Sequence, residues 1–356
     1  MATFEQRASG YWQAKVRRKG LPVQSKTFER KVDAEAWARD VENKIDRGVF
    51  VDRREAETTT LAEALLRYER EVTVKKKAQR QEKSMIKAWL ERKAFAARPL
   101  AALRSSDFAA FRDERLKAVA SQTVRHELKL IAHLYSIASK EWGLAVENPL
   151  RNIKMPPQGK SRERRLSAEE ERFLLLAAEN SGARDKNGKS RANVWVAPAI
   201  RFALATAMRQ GEILALTWKN VDLKKRVALL EDTKNGDRRV VPLSSAALAV
   251  LSRIPRTLRG PVFATTQEAL QQSWKRALPR ARRLYLADCA AGEREADPDF
   301  LVNLTFHDLR HEAISRLAER GDLSVLELAA VSGHKTMQML RRYTHLQAED
   351  LARKLG

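Results

Sequence analysis

Apolar and polar positions change period several times along the chain, and each change marks an element. Trp12, Ala14 and Val16 alternate with Gln13, Lys15 and Arg17, the twofold period of a half-buried strand, and Arg18-Lys19-Gly20 supplies a turn. Val23 to Phe28 reads as a second extended run. The spacing of Ala34, Trp37, Ala38, Val41 and Ile45 then predicts a helix that stops at Gly48. Residues 49–59 read as a linker, after which the period becomes helical. Thr60 and Glu63 form a capping box ahead of Leu61, Leu65, Tyr68 and Val72. Helical runs at 85–90, 107–116 and from 122 to about 142 follow, and Asn148-Pro149 stops what comes after.

The stretch from Leu150 to Arg165 holds six Lys/Arg against one Glu, with Pro156-Pro157 and Gly159, the pattern of a spacer that does not pack. Ser167 and Glu170 open the next helix, residues 181–193 read as a polar loop, and 199–207 as a buried helix. Arg226–Glu231 and Arg239–Leu243 read as strands around Asn235-Gly236, a hairpin signal. A later helix runs to about Ala287 with an interruption near Pro279, and 288–299, with five carboxylates against Arg294, reads as a surface insertion. Thr305 with Asp308 opens a helix that places His307, Arg310 and His311 on one face, and Gly321 ends it. Ser324 with Glu327 opens another, closed by Gly333 just before His334. The expected class is mainly α with small β-sheets (α+β). It divides into a sheet-plus-helix domain at 1–55, a helical domain at 60–150, a basic linker at 151–165 and a mixed α/β domain at 166–356.

Composition narrows what such a chain can do. A formal charge of +23, from 68 Lys+Arg against 45 Asp+Glu, favours a polyanionic partner, and nucleic acid fits better than membrane because no run of 18 apolar residues stands out. The single cysteine, Cys289, rules out an intrachain disulfide, and the N-terminus lacks a signal-peptide pattern, so a reducing, cytoplasmic and nucleoid-associated setting is expected.

His307-x-x-Arg310, then Gly333-His334, then Tyr343 nine residues after that histidine resembles the tyrosine recombinases, the phage and plasmid integrases that cut and rejoin DNA. The resemblance extends to ATAMRQGEIL, where Arg209 matches the family's first catalytic arginine and Glu212 its supporting acid, and to TKNGDRRVVPL, where Lys234 matches its lysine. HDLRHEAIS, SGHKTMQML and RRYTHL look similar to shufflon-type DNA invertases. Ala207 stands where the family usually has Gly, which implies a local adjustment of the turn.

The resemblance implies an arm-type DNA-binding domain at 1–55, a core-binding domain at 60–150 and a catalytic domain at 166–356. DNA-contacting cations are then expected at Lys15, Arg17, Lys19 and Lys26 on or near the outer face of the first sheet, at Lys75, Lys76 and Lys77, and at Arg162, Arg164 and Arg165 in the linker. For the first sheet a merely solvated basic hairpin is the alternative. The chemistry needs a nucleophile, a proton acceptor, charge neutralisation at phosphorus and an acid for the leaving oxygen. Tyr343, His307, the forks of Arg209 and Arg310 assisted by His334, and Lys234 fill those roles in turn, without metal or cofactor. His307 and His311 at i, i+4 could bind a metal, but no further His or Cys is spaced to complete a site. The implied partners are double-stranded DNA carrying specific recombination sites, a homotetramer at synapsis formed from monomers, and a directionality factor. A DNA-binding regulator that cuts nothing and a type IB topoisomerase are the alternatives.

Overall fold

The computed structural model describes residues 2–48, 53–159, 162–179, 193–231, 238–256, 260–340 and 343. The chain divides into two compact units, Met1–Ser161 and Arg162–Gly356.

The first unit begins with strands β1 (Ala2–Gln6), β2 (Trp12–Val16) and β3 (Gln24–Phe28), paired antiparallel in that order, and helix α1 (Lys31–Asp46). Ala14, Val16, Ala34, Ala38 and Val41 form its small core. β1 was not expected from the pattern, because Phe4 is its one large apolar residue. The register corrects the placement of Lys26. It lies opposite Ala14, as Phe28 lies opposite Trp12, so it belongs to the face that α1 packs against and not to the outer face. Lys15, one residue along from Ala14, points to the other face and meets Glu5 at 3.4 Å.

Helices α2 (Arg54–Thr58), α3 (Leu61–Glu71), α4 (Gln79–Glu91), α5 (Lys93–Ala96), α6 (Ser105–Leu116) and α7 (Ser121–Lys140) enclose a second core. Trp89, Phe108, Tyr135 and Tyr68 are buried there, and Trp89 meets Phe95, Phe108 and Phe111 at ring distances of 4.6 to 6.2 Å. The Thr60–Glu63 box forms as expected. Glu63 N–H donates to Thr60 Oγ1 at 3.2 Å and Thr60 N–H to the Glu63 carboxylate at 2.8 Å, a cap that contributes about 1 kcal/mol. The supposed linker before it is partly helical, since α2 buries Ala56 in this core. Leu150 and Ile153 are buried in the same core, so the first residues of the expected 151–165 spacer pack.

The second unit contains α8 (Ala168–Glu179), α9 (Val196–Thr206), α10 (Gln210–Ala215), strands β4 (Val221–Asp222), β5 (Val227–Leu230) and β6 (Arg239–Pro242), then α11 (Ser245–Ser252), α12 (Gln267–Ala291), α13 (Phe306–Glu319), α14 (Val325–Ser332) and α15 (Met337–Leu340). The strands form one antiparallel sheet in sequence order. Asn235-Gly236, and most of the polar loop expected at 181–193, lie outside the described residues. Pro279 does not interrupt α12, which runs through it, and the first residues of the expected acidic insertion, including buried Cys289, complete that helix. α13 is enclosed on most sides: Phe306, Leu309, Ala313 and Ile314 are buried, and so are Asp308, Arg310 and Glu312. No described helix is long and apolar enough to cross a membrane.

Candidate active site

Buried charge on α13 sorts the arginines of this unit into two groups. Arg162 grips the carboxylate of Asp308 through two hydrogen bonds of 2.6 and 2.8 Å. Arg164 pairs with Glu170, and Arg165 with Glu312 at 2.8 Å and Glu319 at 2.6 Å. Asp308 also accepts from Thr305 N–H at 2.7 Å, and Glu312 from Leu166 N–H at 3.0 Å. The expectation that 151–165 does not pack is therefore wrong at this end too. These three cations, expected to face phosphate, are fastened to carboxylates on α8 and α13. Lys76 is similarly engaged, with Glu82 and the Tyr68 hydroxyl both at 2.6 Å, whereas Lys75 and Lys77 are exposed.

The second group sits where α9, α10, β6, α13 and α14 converge. Ala207 ends α9 in the left-handed conformation, at φ 54°, which glycine adopts freely and alanine at a cost of about 1 kcal/mol. That turn sends Arg209 to the N-cap of α10. Arg209 Nη1 donates to Glu212 at 2.6 Å and the Arg209 N–H to the same carboxylate at 3.0 Å. Arg239, the first residue of β6, donates from Nη2 to the other Glu212 oxygen at 2.7 Å and from Nη1 to the Val331 carbonyl at 2.6 Å. Arg310 donates to the carbonyls of Ala207 and Ser332. It is 3 % exposed and forms no ion pair among the described residues.

Two of these guanidiniums, Arg209 and Arg239, thus share one carboxylate, and the third is bound to main-chain carbonyls. Burial pushes the Glu212 carboxyl up, but the Arg209 N–H, Arg239 and the Arg209 side chain outweigh it and hold the group below its usual range. Burial, then the charge of Arg209, brings Arg310 well below the usual guanidinium range, to about 10, with Glu212, Arg239 and Tyr343 also acting on it. Buried positive charge in excess of its carboxylates attracts an anion.

Gly333, at φ 68°, ends α14 and turns the chain into His334, whose Nδ1 lies 2.8 Å from Ser332 Oγ. Tyr343 is 9 % exposed. Its hydroxyl hydrogen-bonds His311 Nδ1, and its ring lies 6.0 Å from that of His311 and 6.1 Å from that of His334. His307 meets His311 edge to face at 4.8 Å. Contacts through Glu212, the Ala207 and Ser332 carbonyls and His311 therefore bring Arg209, Glu212, Arg310, His334 and Tyr343 together, with His307 against His311. Lys234 lies outside the described residues. Among the described residues no group of three or more His, Cys, Asp or Glu could hold a metal ion.

Two members were not assigned from the sequence. His311 was seen only as a face-mate of His307. Arg239 shares its strand face with the fully buried Val241, and an arginine at a core-facing register is the signal that could have revealed it.

Residues 164–350 match the phage integrase family. The chain is 40% identical over 306 residues to the shufflon-specific DNA recombinase of Escherichia coli, an alignment covering 83% of this chain and 71% of that one. In fold it is similar to the Tn1549 transposon integrase solved with circular intermediate DNA, at TM-score 0.60 and 18% identity over 84% of this chain and 100% of that one. It is also similar to lambda integrase solved as a tetramer bound to a Holliday junction, at TM-score 0.60 and 20% identity over 96% and 94% of the two chains. With its arginines, histidines and tyrosine brought together and this degree of likeness, the chain belongs to the phage integrase family of tyrosine recombinases, enzymes that cleave and rejoin DNA.

Proposed function

We propose that the pocket cleaves one strand of duplex DNA with Tyr343 as nucleophile. The phenolic oxygen bonds to phosphorus and the bond to the 5′ oxygen breaks, leaving a 3′-phosphotyrosine. The tyrosine proton goes to His311, which takes over the acceptor role expected of His307, and Lys234 protonates the departing oxygen. Arg209 and Arg310 hold the non-bridging oxygens, where charge grows as phosphorus becomes pentacoordinate, and His334 adds a hydrogen bond. Because the ester retains the energy of the broken bond, rejoining requires no ATP. The observation that carries this reading is a buried, carboxylate-free guanidinium on Arg310 beside a tyrosine whose hydroxyl already rests on an imidazole.

The relatives support a reading of the substrate class. The Escherichia coli protein acts on a shufflon, so inversion between inverted recombination sites is the proposed outcome, with a homotetramer at the junction as for lambda integrase. A directionality factor is a further proposed partner. Lys15, Arg17, Lys19, Lys75 and Lys77 are the proposed phosphate contacts of the first unit.

The test uses nicked suicide duplexes tiled across the DNA flanking the gene. The unmutated protein should form a denaturation-resistant adduct on a subset of them, whereas Tyr343→Phe should form none and retain DNA affinity within a few-fold, since one hydroxyl is one contact among many. An adduct from the Phe variant removes Tyr343 from the nucleophile's role. A non-cutting regulator would give no adduct with either protein, and adducts on every duplex regardless of sequence would favour a topoisomerase.

A further inference from the structure

We propose that Arg239 is a positioning residue that locks Arg209 and His334 into a single constellation, using Glu212 on one side and the end of α14 on the other. The inference rests on the reading of the pocket given above and adds a role to a residue outside the expected set.

The unpaired carbonyls at a helix C-terminus need donors. At α14 two of them, Val331 O and Ser332 O, are taken by guanidiniums from other elements, Arg239 from β6 and Arg310 from α13. Positive charge there also suits the negative end of the helix. His334 lies two residues beyond Ser332, so its position is inherited from that grip. The other nitrogen of the Arg239 fork completes the link, because Glu212 Oε2 accepts from Arg239 at 2.7 Å while Oε1 accepts from Arg209 at 2.6 Å. Arg209, Glu212, Arg239 and the Val331–His334 turn are thus joined by consecutive hydrogen bonds, and only a planar fork reaches both ends.

Gly333 supplies independent support. Besides its positive φ, a Cβ at this position would stand 2.8 Å from Arg239 Nη1 and 2.9 Å from Cδ and Cζ. The arginine stem therefore lies across the backbone of the residue preceding His334, and the closeness of that approach requires the glycine. Burial lowers Arg239 below its usual range, and the charge of Glu212 acts against that lowering.

The test measures single-turnover adduct formation on the same tiled duplexes with Arg239→Ala and Arg239→Lys. Arg239→Ala should bind DNA within a few-fold of the unmutated protein yet react about 100-fold more slowly, the size of effect expected when reacting groups shift by about 1 Å. Free guanidinium, below denaturing concentration, should recover about tenfold of that loss by occupying the vacated site, whereas Arg239→Lys, lacking the fork, should stay slow. Arg239→Ala combined with His334→Ala should be little slower than the slower single variant, because both act through one group. Rescue and non-additivity are outcomes that a general folding defect would not produce. Equal rates for Arg239→Ala and the unmutated protein, a slow variant that guanidinium does not restore, or multiplying losses in the double variant each overturn the inference. Absence of any adduct with the unmutated protein overturns the reading of the Tyr343 centre and this inference with it, and so is told apart from failure of the inference alone.

Discussion

Arg162, Arg164 and Arg165 are chemically identical to Arg209, Arg239 and Arg310 and lie in the same unit, yet the two trios have opposite surroundings. The first meets Asp308, Glu170, Glu312 and Glu319, more carboxylates than guanidiniums. In the second, Arg209 and Arg239 share Glu212, and among the described residues the further acceptors of the trio are main-chain carbonyls. A neutralised trio fastens the start of the unit to α8 and α13; an under-neutralised trio leaves positive potential directed at whatever anion enters. The carboxylates, more than the arginines, therefore decide where positive charge is left for an anion.

The comparison breaks most visibly if Arg310 proves dispensable. Arg310→Ala should slow adduct formation about 100- to 1,000-fold, the range for loss of a preorganised donor at developing charge, with DNA affinity nearly unchanged. A loss below about tenfold in a single-turnover assay would show that the carboxylate-free guanidinium is structural like the first trio.

Glu312 tests the other side. Glu312→Gln should lower unfolding free energy in urea by about 2 kcal/mol, less than for a fully buried pair because Arg165 is half exposed, and leave the adduct rate per folded molecule intact. Burial pushes the Glu312 carboxyl up, but Arg165, the Leu166 N–H and Arg316 together hold it below its ordinary value of 4.5; Arg162 and Thr305 do the same for Asp308 below 3.8. A depressed folded pKa contributes stability that is complete above the unfolded value and lost as pH falls through the folded one. The unmutated protein should therefore lose stability as the pH falls below about 4.5, and Glu312→Gln should show a shallower acid limb. An identical limb in both proteins would remove Glu312 from the fastening.

The smallest effect is the sharpest discriminator. If Arg162 were a phosphate contact, Arg162→Gln would reduce the log–log salt slope of DNA binding by about one unit. Its two hydrogen bonds to Asp308 lead us to expect an unchanged slope, measured by fluorescence anisotropy across a salt series.

What the sequence disclosed follows the range of each interaction. The boxes at Thr60–Glu63, Ser167–Glu170, Thr305–Asp308 and Ser324–Glu327 span three residues each, and all four carboxylates accept from the expected N–H groups. The motif around Arg209, His307, Arg310, His334 and Tyr343 was legible because residue types recur in fixed order. Arg162 and Arg165 were misread because their partners lie about 150 residues further on, so a local excess of charge looked like a free spacer. Lys26 was assigned to the wrong face because strand register, which a single-residue shift inverts, is set by pairing and not by composition. His311 escaped because only the fold brings it onto Tyr343.

The grip on Arg310 has an evolutionary corollary. Its two acceptors are peptide oxygens, at Ala207 and Ser332, and a point mutation cannot delete a peptide oxygen. Neighbouring side chains are thus free to drift while the anchorage persists, provided the turn geometry survives. Heritable fragility is concentrated instead in Glu212, which among the described residues pairs with both Arg209 and Arg239, so that a single codon change would loosen two guanidiniums at once.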